Sequence, residues 1–194
     1  MGELKRRAVH VSGTALPAAY LLGIITYEWV RWLFLFGALV ALCLEAVRLS
    51  VGLDWRLYEE LTREYEQTNL AGYALYMVAA TVVAFAFDAR IAIPAILMLT
   101  IADPLSGLLG SSEPRSMKEL SVLAVTFAVC FVLAIPFVPL VPALLGALAA
   151  TLADGVKPVF RGYVIDDNLT IPVAAALAIS LGLWLTGGAP LAPG

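Results

Sequence analysis

Residues 91–109 read IAIPAILMLTIADPLSGLL, a run of nineteen residues with one charged side chain, Asp103. A helix needs about 20 consecutive apolar residues to cross the hydrocarbon core of a bilayer, so this run predicts a membrane-spanning helix. An ionisable side chain inside such a helix costs about 2.5–3.5 kcal/mol on insertion scales and usually has a specific role. Asp103, followed by the helix-breaking Pro104, is therefore the first candidate functional residue.

The whole chain has the composition of a membrane protein. Its 194 residues are 61% hydrophobic and 14% charged, with a mean hydropathy of +0.91. A soluble domain would be charged at about a quarter of its positions. These values exclude an ordinary soluble domain, a disordered chain and a basic nucleic-acid-binding protein. Cys43 and Cys130 lie inside apolar runs and have neither a disulfide framework nor metal-ligand spacing.

Seven apolar runs between charged residues predict an all-α, polytopic membrane protein with a single transmembrane domain over residues 1–194. The runs cover residues 8–26, 29–49, 70–87, 91–109, 120–137, 138–153 and 169–186. The boundary between the fifth and sixth runs depends on Pro136, Pro139 and Pro142. One long, broken hairpin is the alternative at that point.

The distribution of charge predicts the orientation, because cytoplasmic loops carry an excess of Lys and Arg. With the N-terminus in the cytoplasm, ten of the twelve basic residues lie on the cytoplasmic side, and Arg31 and Arg90 lie on the other. Thirteen of the fifteen acidic residues fall on the same cytoplasmic side. We therefore expect an integral protein of a prokaryotic-type cell membrane, with its active site facing the cytoplasm and its C-terminus external.

Two further features concern the organisation of the chain. Residues 54–68 carry aromatic and leucine side chains at helical spacing between charges, which favours an interfacial amphipathic helix or a solvated connector about equally. Residues 37–48 resemble residues 146–157, and each segment precedes an Asn-Leu pair. Spans one to three and five to seven are therefore candidates for parallel internal repeats.

Asp166, Asp167 and Asn168 stand directly before the last apolar run. A helix N-cap would explain one of the three side chains, but it would not explain two adjacent carboxylates at a membrane boundary. Oxygen ligands in a row suit Mg²⁺, which keeps several waters and bridges to phosphate oxygens. This segment therefore indicates metal or phosphate chemistry.

Other polar residues have simpler explanations as well as functional ones. Glu45 and Arg48, like Asp154 and Lys157, are spaced three apart and could form surface salt bridges of little energetic value. The two acids lie deeper than their basic partners, so a functional role is favoured for them. His10 and Asn69 are equally compatible with ordinary positions at the membrane interface.

These polar residues all belong to the cytoplasmic half of the predicted spans, whereas a transporter or channel tends to place polar groups at the midplane. The chain contains neither a Walker A loop nor a GxGxxG pattern, and no serine has a nucleophile elbow. The arrangement favours chemistry at the cytoplasmic surface on a molecule that resides in the membrane.

Four motifs together resemble the polyprenol kinase family, which includes dolichol kinases, CTP-dependent diacylglycerol kinases and phytol kinases. The motifs are Arg6-Arg7-Ala-Val-His10, Glu45-Ala-Val-Arg48, Ala102-Asp103-Pro104 with Gly110, and Asp166-Asp167-Asn168-Leu-Thr-Ile-Pro172. Their order and spacing match over nearly the whole chain, and the last motif is the most specific. The stretch from Arg115 to Leu120 departs from the family pattern, because it lacks a glycine, and it distantly resembles membrane CDP-lipid cytidylyltransferases.

The resemblance implies an integral-membrane enzyme that transfers the γ-phosphate of CTP to a lipid alcohol, with dolichol or another polyprenol as the expected acceptor. It also implies that Asp103 and Asp166–Asn168 belong to a nucleotide and magnesium site, with Asp103, Asp166 and Asp167 as metal ligands. The remaining residues expected to bind the nucleotide are Arg6, His10, Arg48, Asn69, Arg115, Lys118, Lys157, Arg161 and Asn168.

Several alternatives stay open at this point. Asp103, Asp154 or Glu45 could orient or deprotonate the lipid hydroxyl. A cytidylyltransferase that makes a CDP-lipid is the second hypothesis, and a non-enzymatic carrier or channel is the third. Gly146 and Ala150 allow close helix packing, either within the chain or in a homo-oligomer.

Overall fold

The computed structural model describes residues 10–51, 69–110, 118–156, 159–160 and 163–187. The described helices are α1 (Ala15–Leu21), α2 (Tyr27–Val51), α3 (Gly72–Ala86), α4 (Ala89–Leu97), α5 (Asp103–Leu109), α6 (Leu120–Ala134), α7 (Leu140–Gly155) and α8 (Asp167–Leu185). A π-helical segment, Met98–Ala102, joins α4 to α5. A two-residue antiparallel ladder, in which Val159 pairs with Val164 and Phe160 with Tyr163, lies between α7 and α8.

The helical membrane-protein prediction is confirmed in its coarse form. In the described part of the chain, three helical stretches are long and apolar enough to cross a membrane, namely Tyr27–Ser50, Ala89–Leu109 and Asp167–Leu185. Helices α3, α6 and α7 are apolar but shorter. The seven-span topology and the internal repeat stay predictions. The predicted amphipathic segment 54–68 lies outside the described residues.

The first predicted span differs most from the structure. A helical turn over residues 10–12 is interrupted at Gly13 and Thr14, and α1 then extends only from Ala15 to Leu21. Gly23, with a φ of 71°, follows the helix in a conformation that side chains with a Cβ rarely adopt. Hydropathy alone did not reveal these two glycine breaks.

The stretch from α4 to α5 forms the centre of the bundle. Every residue from Ile91 to Thr100 is buried, whereas large apolar side chains on α2, such as Trp32 and Phe36, are exposed. A central helix is apolar all round because other helices cover it, and peripheral helices of a membrane protein can expose apolar side chains to lipid. Asp103 therefore lies on the most enclosed helix of the bundle.

The π-helical segment ends at Asp103. The backbone N–H of Asp103 donates to the carbonyl of Met98, five residues earlier, instead of following the α-helical pattern. Pro104 has no N–H to donate, so regular helical hydrogen bonding cannot continue through this position. Single π-helical turns are frequent at functional sites because they redirect the side chains that follow.

Helices α7 and α8 pack closely through glycines. A Cβ on Gly146 would lie 2.4 Å from Cγ1 of Ile179, and a Cβ on Gly182 would lie 2.6 Å from the backbone Cα of Pro142. Glycine at these positions lets the two helices approach closely, and at Gly182 the neighbouring atoms belong to the backbone and cannot turn away. The close packing brings the C-terminal end of α7 beside the N-terminal end of α8.

A polar contact also joins α2 to the C-terminal end of α3, on the side predicted to be external. Arg31 is 7% exposed, and its Nε donates to the carbonyl of Ala84 over 3.1 Å. The guanidinium lies 4.8 Å from the ring centroid of Tyr27, whose hydroxyl contacts the same carbonyl at 2.9 Å. Arg31 thereby satisfies a carbonyl at a helix end, which the helix itself leaves without a donor.

Candidate functional site

Three carboxylates meet at one end of the bundle. Asp103, Asp154 and Asp167 each place an oxygen within 4.8 Å of the others. Asp103 begins α5, Asp154 lies in the last turn of α7, and Asp167 begins α8. We refer to these three residues as the carboxylate cluster.

The helix ends contribute differently to the electrostatics of the cluster. A carboxylate in the first turn of a helix is stabilised by the positive end of the helix dipole, which applies to Asp167. Asp154 lies near the negative end of α7, where a carboxylate is disfavoured. It is also only 1% exposed. Asp154 therefore requires hydrogen-bond donors or a cation close to it.

Lys118 and Ser106 supply that stabilisation. The Nζ of Lys118 donates to Oδ1 of Asp154 over 2.6 Å and to Oγ of Ser106 over 2.8 Å. The Ser106 hydroxyl in turn donates to Oδ2 of Asp154 over 2.6 Å. Both oxygens of Asp154 are thus engaged, and the three residues form a closed network that links α5, α7 and the start of α6.

The cluster carries an excess of negative charge. Three carboxylates and the ammonium of Lys118 leave a formal charge of −2 on these four side chains. Placing like charges together away from water is unfavourable unless a cation joins them. The donor set, which consists of carboxylate oxygens, is of the kind that Mg²⁺ prefers over softer metals.

The cluster differs in one member from the predicted set of metal ligands, Asp103, Asp166 and Asp167. Asp103 and Asp167 are present as predicted, but Asp154, predicted as a general base, takes the place expected for Asp166. Asp166 instead caps α8, because its Oδ1 accepts from the backbone N–H of Asn168 over 2.9 Å and also from the side-chain amide of Asn168. The cap that the sequence assigned to one member of the Asp-Asp-Asn motif thus belongs to Asp166.

Asn168 contributes an additional polar atom. The residue is buried, and its side-chain amide nitrogen is engaged with Asp166, while its Oδ1 has no hydrogen-bond partner among the described residues. Buried polar atoms are almost always paired in folded proteins, so an unpaired one requires an explanation. This oxygen, next in sequence to Asp167, can accept a hydrogen bond from a ligand or coordinate a cation.

His10 lies against the carboxylate cluster. Its Nδ1 is 3.5 Å from Oδ2 of Asp103, and both side chains are largely buried. The sequence predicted His10 as a nucleotide-binding residue. The structure places it in contact with a carboxylate, so it can orient Asp103 as well as contact a ligand.

Glu45 is not a member of the carboxylate cluster, and its hydrogen bonds argue against the predicted role as a base. Its two oxygens accept from Nε and Nη2 of Arg48 over 2.9 and 2.7 Å, from the backbone N–H of Ala71 over 2.9 Å, and from the hydroxyl of Tyr73. A carboxylate with four donors has little capacity left to accept a proton from substrate. Glu45 is also buried, so its pair with Arg48 is not a surface salt bridge.

Arg48 and Asn69 belong to the same contact between α2 and α3. The Nη2 of Arg48 donates to the backbone carbonyl of Asn69 over 2.6 Å, in addition to its bonds to Glu45. We call Glu45, Arg48 and the segment 69–73 the α2–α3 clamp. Arg48 thus has a structural role, because its guanidinium joins two helix ends, and its nucleotide-binding role stays a prediction.

Four predicted nucleotide-binding residues lie outside the described part of the chain, namely Arg6, Arg115, Lys157 and Arg161. Ser106, which bonds to Asp154 and Lys118, was not among the predicted site residues. Ser106 lies three residues after Asp103, so a helical projection would have placed both on one face. Tyr76, whose ring stacks on His10, was not predicted to lie near the site either, because an aromatic residue in an apolar run is unremarkable in sequence.

Comparisons with protein-family models and with curated proteins gave no match, and neither did a comparison with solved structures.

Proposed function

We propose that this protein is a CTP-dependent lipid kinase of the membrane, which transfers the γ-phosphate of CTP to the hydroxyl of a long-chain lipid alcohol such as a polyprenol. The observation that supports it most is the convergence of Asp103, Asp154 and Asp167 within 4.8 Å beside Lys118. Phosphoryl transfer depends on positioning and on neutralising the charge of the transferred group, and this arrangement suits both.

The carboxylate cluster suits Mg²⁺, the ion that the resemblance to polyprenol kinases implies. Asp103, Asp154 and Asp167 would hold the ion, and the unpaired Oδ1 of Asn168 is a further oxygen donor nearby in sequence. The bound ion would neutralise charge on the β- and γ-phosphates. Mg²⁺ usually retains several waters, so three carboxylates are sufficient as a protein ligand set. Together with Lys118 they carry a formal charge of −2.

Two further roles, binding the lipid hydroxyl and contacting the phosphate, require side chains that a substrate can reach. Of the three acids that the sequence offered as a base, Asp103 is 18% exposed and has fewer hydrogen-bond donors than Glu45 or Asp154. We therefore assign the orientation and deprotonation of the lipid hydroxyl to Asp103. The ammonium of Lys118, which is partly exposed, can contact a phosphate oxygen while it still stabilises Asp154.

The membrane topology is part of the proposal. We infer seven spans with a cytoplasmic N-terminus, because ten of the twelve basic residues then lie on the cytoplasmic side. The apolar side chains exposed on α2 and α8 would contact lipid, and the acceptor would enter laterally between helices. A reporter that is active only outside the cytoplasm, fused after residue 194, should be active; activity of the same reporter at residue 60 instead would contradict this topology.

The reaction is tested with CTP labelled at a single phosphate. Purified protein is incubated with membranes or a panel of lipid alcohols and with CTP labelled at either the α- or the γ-phosphate. γ-Label in the extracted lipid supports the kinase. α-Label with release of pyrophosphate would identify a cytidylyltransferase, and label in neither case, together with solute flux in liposomes, would identify a carrier or channel.

A control variant separates loss of chemistry from loss of folding. Glu28→Gln changes one carboxylate to an amide at the opposite end of the bundle, where Glu28 pairs with Arg31 over 3.3 Å. It should retain full transfer, whereas Asp103→Asn should lose it. Equal losses in both variants would show that the carboxylate cluster has no special role.

A further inference from the structure

Tyr76 on α3 packs directly against the only histidine of the chain. Its ring and the imidazole of His10 are stacked, with centroids 5.6 Å apart and planes inclined by 28°. On another side, Phe34 contacts the Tyr76 ring edge-on at 6.4 Å and 79°. Tyr76 is 2% exposed, so its ring has a single well-defined position between these neighbours.

Gly13 holds the hydroxyl end of the same ring. A Cβ on Gly13 would lie 1.9 Å from Oη of Tyr76 and 2.7 Å from its Cζ, so a side chain at position 13 would displace the ring. The hydroxyl itself has no hydrogen-bond partner in the described part of the chain. The contact with Gly13 is therefore a van der Waals contact and not a hydrogen bond. The position of His10 accordingly depends on the ring of Tyr76 and not on its hydroxyl.

The Nδ1 edge of the imidazole faces Asp103. Its Nδ1 lies 3.5 Å from Oδ2 of Asp103, and four residues later Oγ1 of Thr14 donates to Oγ1 of Thr100 over 3.0 Å. The segment from His10 to Thr14 is thus attached to the π-helical segment that carries Asp103. The imidazole thus has the Tyr76 ring against one face and the Asp103 carboxylate near its Nδ1 edge.

We propose that Tyr76 is a positioning residue, whose ring holds the His10 imidazole so that Nδ1 faces Asp103 and keeps that carboxylate in its working orientation. The relevance of this arrangement to phosphoryl transfer rests on the proposed function. Residues that hold a metal- or substrate-binding side chain in place from behind commonly change activity by about 10- to 100-fold when they are removed. Tyr76 acts through His10 and does not itself touch the carboxylate cluster.

The single histidine provides a direct measurement of the imidazole. Protein labelled with ¹⁵N in histidine and purified in detergent gives the nitrogen shifts of His10 alone, and these distinguish the tautomer protonated at Nδ1 from the one protonated at Nε2. At a fixed alkaline pH, the wild type should populate mainly the Nδ1-protonated tautomer, because the negative charge of the Asp103 carboxylate, 3.5 Å from Nδ1, favours a proton on that nitrogen. Tyr76→Phe keeps the ring and should give the same shifts.

Tyr76→Leu removes the stacking partner and should move the His10 shifts toward the mixture of tautomers of a free imidazole. Tyr20→Leu is the matched control, because Tyr20 packs against Tyr27 at 5.7 Å and the change should leave His10 unaltered. If Tyr76→Leu fails to fold, Gly13→Ala tests the same point by displacing the ring. Unchanged His10 shifts in the folded variant would overturn the proposal, as would a Tyr76→Phe variant that behaves like Tyr76→Leu.

Kinetics provide a second, separate readout. In the transfer assay, Tyr76→Leu should lower kcat about tenfold and change the KM for CTP less than about twofold, because Asp154 and Asp167 remain in place to hold the ion that binds with the nucleotide. A rise in KM with unchanged kcat would contradict the positioning role. If no transfer from CTP is detected in any variant but the His10 shifts respond as described, the proposed function fails and the positioning of His10 by Tyr76 stands.

Discussion

Lys118 and Asp154 form a direct ion pair, with Nζ 2.6 Å from Oδ1, although they are 36 residues apart and Asp154 is buried. Breaking such a pair leaves a buried carboxylate without its cation, which is costly. Lys118→Met should lower the free energy of unfolding by about 3 kcal/mol, measured by titration with sodium dodecyl sulfate in mixed micelles.

A double-mutant cycle separates the ion pair from other effects of the lysine. Combining Lys118→Met with Asp154→Asn removes both charges, so the double variant should be more stable than Lys118→Met alone. Additive losses would show that the two side chains do not stabilise each other. Lys118→Arg keeps the charge and should fall between the wild type and Lys118→Met.

The carboxylate cluster should be essential for turnover but not for insertion into the membrane. Asp103→Asn and Asp167→Asn should each lower kcat by at least about a hundredfold, because each removes a carboxylate that would hold Mg²⁺ beside the transferred phosphate. Both variants should still appear in the membrane fraction and elute as a single peak in detergent. Near-normal transfer in both would refute the assignment of these residues to the site.

Removing divalent cations should abolish transfer reversibly. Because the carboxylate cluster and Lys118 together carry a formal charge of −2, a chelator should stop the reaction and excess Mg²⁺ should restore it. Mn²⁺ titration followed by electron paramagnetic resonance should detect binding to the wild type and weaker binding to Asp167→Asn. Equal Mn²⁺ binding by the two proteins would place the ion elsewhere.

Glu45 should matter for stability and not for chemistry. Glu45→Gln weakens the bonds from Arg48, Ala71 and Tyr73, so we expect a loss of about 2 kcal/mol in the free energy of unfolding. The folded fraction should retain the wild-type kcat at a temperature below the transition. A large fall in kcat with unchanged stability would instead restore Glu45 as a base.

The contact between α7 and α8 should tolerate a methyl group at Gly146 better than at Gly182. An added Cβ at Gly182 meets the backbone of Pro142 at 2.6 Å, whereas at Gly146 it meets the side chain of Ile179, which can turn away. Gly182→Ala should therefore cost about 1–3 kcal/mol, and Gly146→Ala less. Gly110→Ala is the control, because its nearest atom is 3.4 Å away. The reverse order of the two losses would contradict this packing.

Much of the fold could be predicted from hydropathy because that signal is local. The central helix, the helices α2 and α8, and the break between α6 and α7 at Pro136 and Pro139 all follow from apolar runs and helix-breaking residues. The shortness of α1 and the π-helical turn before Asp103 were not predicted. The break before α1 depends on packing, because Tyr76 fills the space beside Gly13. The π-helical turn depends on the backbone hydrogen bond from Asp103 to Met98, next to Pro104.

The candidate site could be predicted only in part for a related reason. Asp103 and Asp167 were identified because a carboxylate inside or beside an apolar run is costly and therefore conspicuous. Asp166 was predicted as a metal ligand and Asp154 as a candidate base, whereas the structure places Asp154 in the carboxylate cluster, because acids near helix ends look alike in sequence. Asp166 caps α8, whereas Asp154 faces Lys118, and this difference arises from the direction in which each helix end points.

The sequence by itself determined the coarse class, a helical protein with the apolar composition of a membrane protein, because long apolar runs are a property of the chain read in order. The concentration of charged residues on one side of the membrane stays a prediction from the placement of Lys and Arg. Only the tertiary structure decided which acids meet. Glu45 accepts hydrogen bonds from Arg48 and from the backbone just before α3, whereas Asp154 lies beside Asp103 and Asp167. The physical reason is that close packing of α7 on α8, and the π-helical turn before Asp103, determine where three distant helix ends come together.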